Sequence, residues 1–254
     1  MMKKQTMKKQ MMLALVSLFA LSVQAQANFE VSVSNPSKSA KTDAPVVIDL
    51  SKLGAIGDIQ RAVVTVDGKE IPSQLDDTNR DCTNDELCFL VDLGKKETKT
   101  YQVQLFQEGV QAKYPARTFA ELCLPSKNKK LAKNKQDIYL RSISFDKKTK
   151  DCYHYVHSHG VCFESDLVAM RVYFDNRQTI DLYGKINKGL VVYDTQFYPS
   201  DEQLAAGSGD DCLWVGNTYG LGALGGWDGT NRVLLNDVKS QAQRVISEGP
   251  LRAI

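Results

Sequence analysis

The sequence predicts an all-β fold, and three observations predict it. Short runs rich in Val, Ile, Tyr and Phe recur between turn signals along the chain. Within the clearest runs, apolar residues alternate with period 2, the repeat of a strand with one buried face. Asp67-Gly68 separates two such runs, and both turn positions tolerate the positive φ of a tight hairpin.

The chain opens on Lys3, Lys4, Lys8 and Lys9, followed by an apolar run over 11–23 and then Val23-Gln24-Ala25-Gln26-Ala27. A basic start, a short apolar core and alternating small residues make a secretory signal over 1–25, with cleavage after Ala25 or Ala27. The run is shorter than the roughly 20 residues a spanning helix needs. The expectation is a periplasmic or extracellular product with no membrane span after cleavage. Losing those four lysines takes the net charge from +2 to −2. A near-neutral chain without a basic stripe excludes nucleic acid as a partner. The local run Lys127, Lys129, Lys130, Lys133, Lys135 has no interleaved aromatics and reads as a solvated segment.

About 228 residues remain, enough to bury a core. Residues 28–108 read as a small β-sandwich. Its strands are 46–50, 62–66, a return strand over 71–75, 89–93, and 100–106 with Tyr101, Val103 and Leu105 on one face. Residues 109–136, with Pro115 and Pro125, read as a connector carrying a short helix at 116–122. From 137 to 254 the β pattern returns with longer strands. Over 166–174, Val168, Met170, Val172 and Phe174 share one face, and Ala169, Arg171 and Tyr173 the other. Over 179–185, Ile180 and Leu182 oppose Thr179, Asp181, Tyr183 and Lys185. A sheet with one apolar face and one face of Arg, Tyr, Asp and Lys offers a hollow for polar ligands. Ser200-Asp201-Glu202-Gln203 reads as a capping box opening a short helix. The ending Gly249-Pro250-Leu251-Arg252-Ala253-Ile254 reads as a strand beginning, so this larger domain is expected to be incomplete at its C-terminal side. Exported cysteines can oxidise, and Cys82/Cys88 and Cys152/Cys162 are spaced to join neighbouring strands, although spacing does not fix pairing.

All three histidines lie in Tyr153-His154-Tyr155-Val156-His157-Ser158-His159. In an extended strand His157 and His159 share a face and His154 takes the other. Imidazole suits proton transfer near neutral pH, so His157 and His159, with Arg171, Tyr173 and Glu164, form the candidate catalytic set. The same pair could instead hold a divalent metal with Glu164 or Asp166, or simply line a polar hairpin; no cofactor is expected. Arg171 suits a carboxylate, and elimination next to a uronate carboxylate would use a Tyr or His base. Hydrolysis would want paired carboxylates, for which Glu164, Asp181, Asp210 and Asp211 are candidates. Asp181, Tyr183, Lys185, Asp210 and Asp211 are candidate substrate contacts. So are Trp214 and Trp227, whose flat rings suit stacking on sugars when they are not core. Gly220 to Gly225 matches GxGxxG, but no strand-then-helix unit frames it.

The run HSHGVCFESDLVAMRVYFDNRQTIDLYGK over 157–185 resembles a Bacteroidetes family of unknown function, the DUF4861 proteins. So do TQFYPSDEQLAAG over 195–207, EGPLRA over 248–253 and VDGKEIPSQLDD over 66–77. The resemblance implies exported β-sandwich proteins associated with degradation of pectin-like glycans, with a larger domain similar to galactose-mutarotase-like supersandwiches. It carries no established mechanism. The resulting expectation is a lyase or hydrolase acting on uronic-acid-containing oligosaccharides. The alternatives are a non-catalytic glycan-binding protein and a mutarotase-like isomerase with His as acid and a carboxylate as base.

Overall fold

A computed structural model describes residues 27–54, 56–124, 138–175, 178–213, 220–234 and 238–254. The chain is nearly all β, as the period-2 runs predict. The expected signal segment, the lysine run and Trp214 lie outside the described residues. Among the described residues, no helix is long and apolar enough to cross a membrane.

Seven strands make the first unit: β1 (Ala27–Ser34), β2 (Lys41–Asp49), β3 (Arg61–Val66), β4 (Lys69–Ile71), β5 (Ser73–Asp76), β6 (Glu86–Leu93) and β7 (Thr98–Phe106). They form two antiparallel sheets, ordered β1-β7-β3-β4 and β2-β6-β5. Tyr101, Val103 and Leu105 of β7 are buried while the residues between them are exposed. They meet Leu87, Phe89 and Val91 of β6 in one core, and the Phe89 and Tyr101 rings are 5.4 Å apart across it. Each such side chain contributes about 1.5–3 kcal/mol by leaving water. Asp67 and Gly68, with φ of 51° and 72°, close the β3–β4 hairpin.

The expected single return strand over 71–75 is a correction. Pairing with β3 stops at Ile71, and the chain crosses to the other sheet as β5, which pairs with β6. Pro72 stands at the crossing, where it has no N–H to give to either ladder.

Among the described residues, eleven further strands follow. They are β8 (Thr118–Glu121), β9 (Cys123–Leu124), β10 (Ile138–Tyr139), β11 (Ser142–Asp146), β12 (Gly160–Ser165), β13 (Val168–Tyr173), β14 (Ile180–Gly184), β15 (Asp210–Asp211), β16 (Gly225–Trp227), β17 (Arg232–Leu234) and β18 (Ser240–Arg244). A five-stranded antiparallel sheet, β15-β14-β13-β12-β8, dominates; β11–β18, β16–β17 and β9–β10 pair as ribbons. The helix expected over 116–122 is instead strand β8, which covers the edge of β12 through Cys162↔Glu121 and Glu164↔Phe119. Seven residues are too few for a stable isolated helix, whereas an unpaired sheet edge supplies a full ladder. The capping box is present: Ser200 Oγ accepts from Gln203 N, and Gln203 Oε1 accepts from Ser200 N.

Hydrogen bonds and ion pairs join the two units. Arg252 donates to Asp76 and Glu86, at 2.7 and 2.5 Å, and Ser247 also bonds to Asp76. Gln74 Oε1 accepts from Leu251 N and Arg252 N. Thr118 donates to the Gly249 carbonyl at 2.6 Å, which holds this same loop to β8 of the second unit. Arg117 pairs with Asp43 of β2 and with Asp166.

The faces of the large sheet are used differently from the expected open polar hollow. Ala169, Arg171, Asp181 and Tyr183 are buried, whereas Val168, Met170, Val172, Ile180 and Leu182 are half-buried. Val192 and Phe197 pack with Tyr183 and Ala169 over the polar face. The apolar face instead borders a cleft of about 390 Å³ shared with Val245 and Ile254.

Candidate functional site

Strand pairing builds the centre of the site. Arg171 and Asp181 are directly opposite in the β13–β14 register, and their side chains emerge on the same face. The guanidinium donates to Asp181 Oδ2 from Nε (2.9 Å) and Nη2 (2.8 Å). It also donates to the Tyr173 hydroxyl from Nη2 (2.9 Å) and to the Tyr198 hydroxyl from Nη1 (3.0 Å). The rings of Tyr173, Phe197 and Tyr198 stand 4.8, 4.7 and 5.0 Å from Arg171 Cζ, close enough for cation–π attraction. Burial works most strongly against the Arg171 charge, but the Asp181 bond and the Tyr173 and Tyr198 contacts together outweigh it and raise its pKa.

Asp211, at the end of β15, brings Oδ2 to 3.5 Å from Arg171 Nη2. Burial raises its carboxyl pKa, and the nearby Asp181 charge adds to the shift. Beneath, Tyr183 donates to the Gly209 carbonyl at 2.8 Å and meets Phe197 edge-on.

The histidine segment is not an extended strand. It forms two 3₁₀ turns, Cys152–Tyr155 and His157–His159, with Ser158 and His159 at φ of 52° and 66°. The turn ends at Gly160, where any Cβ would collide with the Val172 carbonyl. Turning separates His157 from His159. His159 stacks on Tyr173 (centroids 5.6 Å, 23°) and meets Tyr198 edge-on at 6.3 Å. Desolvation lowers its pKa and favours the neutral ring; the Arg171 charge acts the same way. His157 turns to Glu121 on β8, with Nδ1 3.0 Å from Oε1. Among the described residues, no group of three or more His, Cys, Asp or Glu is placed to hold a metal ion.

A family model described as a domain of unknown function, DUF4861, matches residues 33–254. The chain belongs to the DUF4861 family. Comparison with curated proteins and with solved structures gives no match.

The DUF4861 chain therefore gathers His159, Arg171, Tyr173, Asp181 and Asp211 from the residues singled out in sequence, with Tyr183 directly below. Glu164 and Lys185 form a separate buried pair. Lys185 donates to Glu164 and to the carbonyls of Ser165 and Gly189, while Glu164 accepts from Val191 N and Val192 N. Both side chains are almost wholly enclosed, and the pair anchors the 189–192 turn that leads to Phe197. Asp210 is exposed and accepts from Asp211 N. Trp227 stands 65% exposed on the β16–β17 ribbon.

Two members of the site were not legible in sequence: Phe197 and Tyr198. They lie in a turn with Gln196 and Phe197 at φ of 52° and 63°, where no strand or helix period applies. The only signal was the family-like stretch over 195–207. Cys82, Cys88, Cys152, Cys162 and Cys212 are free thiols; burial pushes Cys88 up to about 11.

Proposed function

We propose that this DUF4861 chain is an exported protein acting on carbohydrate by hydrolysis, at the rim formed by Tyr198, Tyr173, His159 and Asp211. The supporting observation is a pair of titratable groups pushed in opposite directions around one aromatic cluster. His159 is biased neutral and Asp211 is biased towards holding a proton, the division of labour that acid–base chemistry needs. Tyr198 is 60% exposed, and its ring offers a sugar a flat apolar surface. The basic start and apolar run over 11–23 support export.

The step balances with these groups alone. His159 takes a proton from water as its oxygen bonds to the anomeric carbon. The glycosidic C–O bond breaks, and the leaving oxygen takes the Asp211 proton. Tyr173 stays a phenol, because burial raises its pKa well above the ordinary value.

Incubation with neutral and acidic plant oligosaccharides tests this. New reducing ends without ultraviolet absorbance, cut about 10²-fold or more in His159→Ala, are expected. Growth of ultraviolet absorbance would mean elimination instead, and binding without products would mean a glycan-binding protein. Neither binding nor products would overturn the carbohydrate reading.

A further inference from the structure

We infer that the sugar unit held against Tyr198 and Asp211 is uncharged, a neutral hexose, deoxyhexose or pentose rather than a uronate; this rests on the carbohydrate reading above. A guanidinium recognises a carboxylate through two parallel N–H groups along one of its edges. Both useful edges of Arg171 are occupied from within. Asp181 Oδ2 takes the Nε/Nη2 edge, and the hydroxyls of Tyr198 and Tyr173 take the Nη1/Nη2 edge. Three aromatic rings surround the same group, which is 1% exposed. Lys185, the other buried cation of the sheet, is closed by Glu164 and two carbonyls.

What the rim presents is acceptors. Asp211, with its side chain 28% exposed, lies beside Arg171. Asp181 Oδ1 is buried behind it and accepts no hydrogen bond. The one guanidinium is thus already matched by Asp181, and a uronate would bring its charge into this space with no free cation edge left to pair it. A neutral sugar does the reverse. Its hydroxyls donate to Asp211, its C–H face lies on Tyr198, and Asp181 Oδ1 gives a donor-rich ligand, or a water bound with it, a second acceptor.

The test screens the whole protein against an array of neutral plant oligosaccharides and their uronate counterparts, then measures the best of each class by titration calorimetry. The best neutral ligand is expected to bind at least about tenfold more tightly than the best uronate. Tyr198→Phe, which frees Arg171 Nη1, is expected to shrink that ratio severalfold, and Tyr198→Ala to weaken the neutral ligand about tenfold. A uronate bound as tightly as the best neutral sugar, or a ratio unmoved by Tyr198→Phe, overturns the inference and leaves the carbohydrate reading standing. Binding by no member of the array overturns both.

Discussion

Arg171 and Asp181 face one another in register across β13 and β14, and both are buried to within a few per cent. An ion pair so placed contributes little when intact against an apolar pair of the same volume, yet costs much when half of it is removed. Asp181→Ala is therefore expected to lower unfolding free energy by about 3–5 kcal/mol, read by urea denaturation. The double variant Arg171→Met/Asp181→Leu is expected to recover more than half of that loss. A single variant as stable as the parent would contradict the burial described here.

Glu164 and Lys185 make a second enclosed pair, and its role is to fix the turn over 189–192. Lys185→Met strands the Glu164 carboxylate, and a loss of about 3–5 kcal/mol is expected in the same measurement. Because the turn leads to Phe197 and Tyr198, carbohydrate affinity should fall with it. A binding loss without a stability loss would instead place Lys185 in contact with ligand.

His159 gives stability a pH dependence whose sign follows from its burial. Its native pKa lies below the ordinary 6.5. Above 6.5 the ring is neutral in both states. As pH falls below that value the unfolded chain takes up a proton that the native ring resists, so stability drops until the native pKa is passed. The difference in stability between the parent and His159→Gln should change over this window and flatten on either side. The imidazole titration followed by NMR should have its midpoint below 6.5.

Much of this was readable from period 2 alone. That pattern puts Arg171, Tyr173 and Asp181 on one face of a sheet and Val172, Ile180 and Leu182 on the other, and the structure keeps both groupings. It does not say which face is roofed. Here the polar face is covered by a segment whose anchor, Phe197, sits in a left-handed turn, so the expected hollow is a buried cluster with a rim. The histidines misled for a related reason. Alternation assumes extended backbone, and Ser158 and His159 both adopt positive φ, which sends His157 to Glu121 and His159 to Tyr173. The helix expected at 116–122 failed because pairing with the β12 edge overrides local preference.

Gly160 supplies a steric test of the turn. An alanine there drives its methyl into the Val172 carbonyl, so β12 and β13 would have to separate. Gly160→Ala is expected to destabilise by about 1–3 kcal/mol and to remove the His159–Tyr173 stacking, visible as a shift of the His159 ring protons. An unchanged spectrum would refute the close approach of the two strands.

The Asp76 carboxylate of the first unit is fully enclosed in the folded chain, yet its guanidinium partner, Arg252, lies 176 positions further along the chain. During synthesis, β5 and β6 must exist for a long interval with that anion lacking its counter-charge. The first unit is thus expected to consolidate late, once the downstream loop arrives, rather than as an independent early folder. A chain stopped ahead of Gly249 should expose this as slow, salt-sensitive refolding of a region containing none of the missing residues.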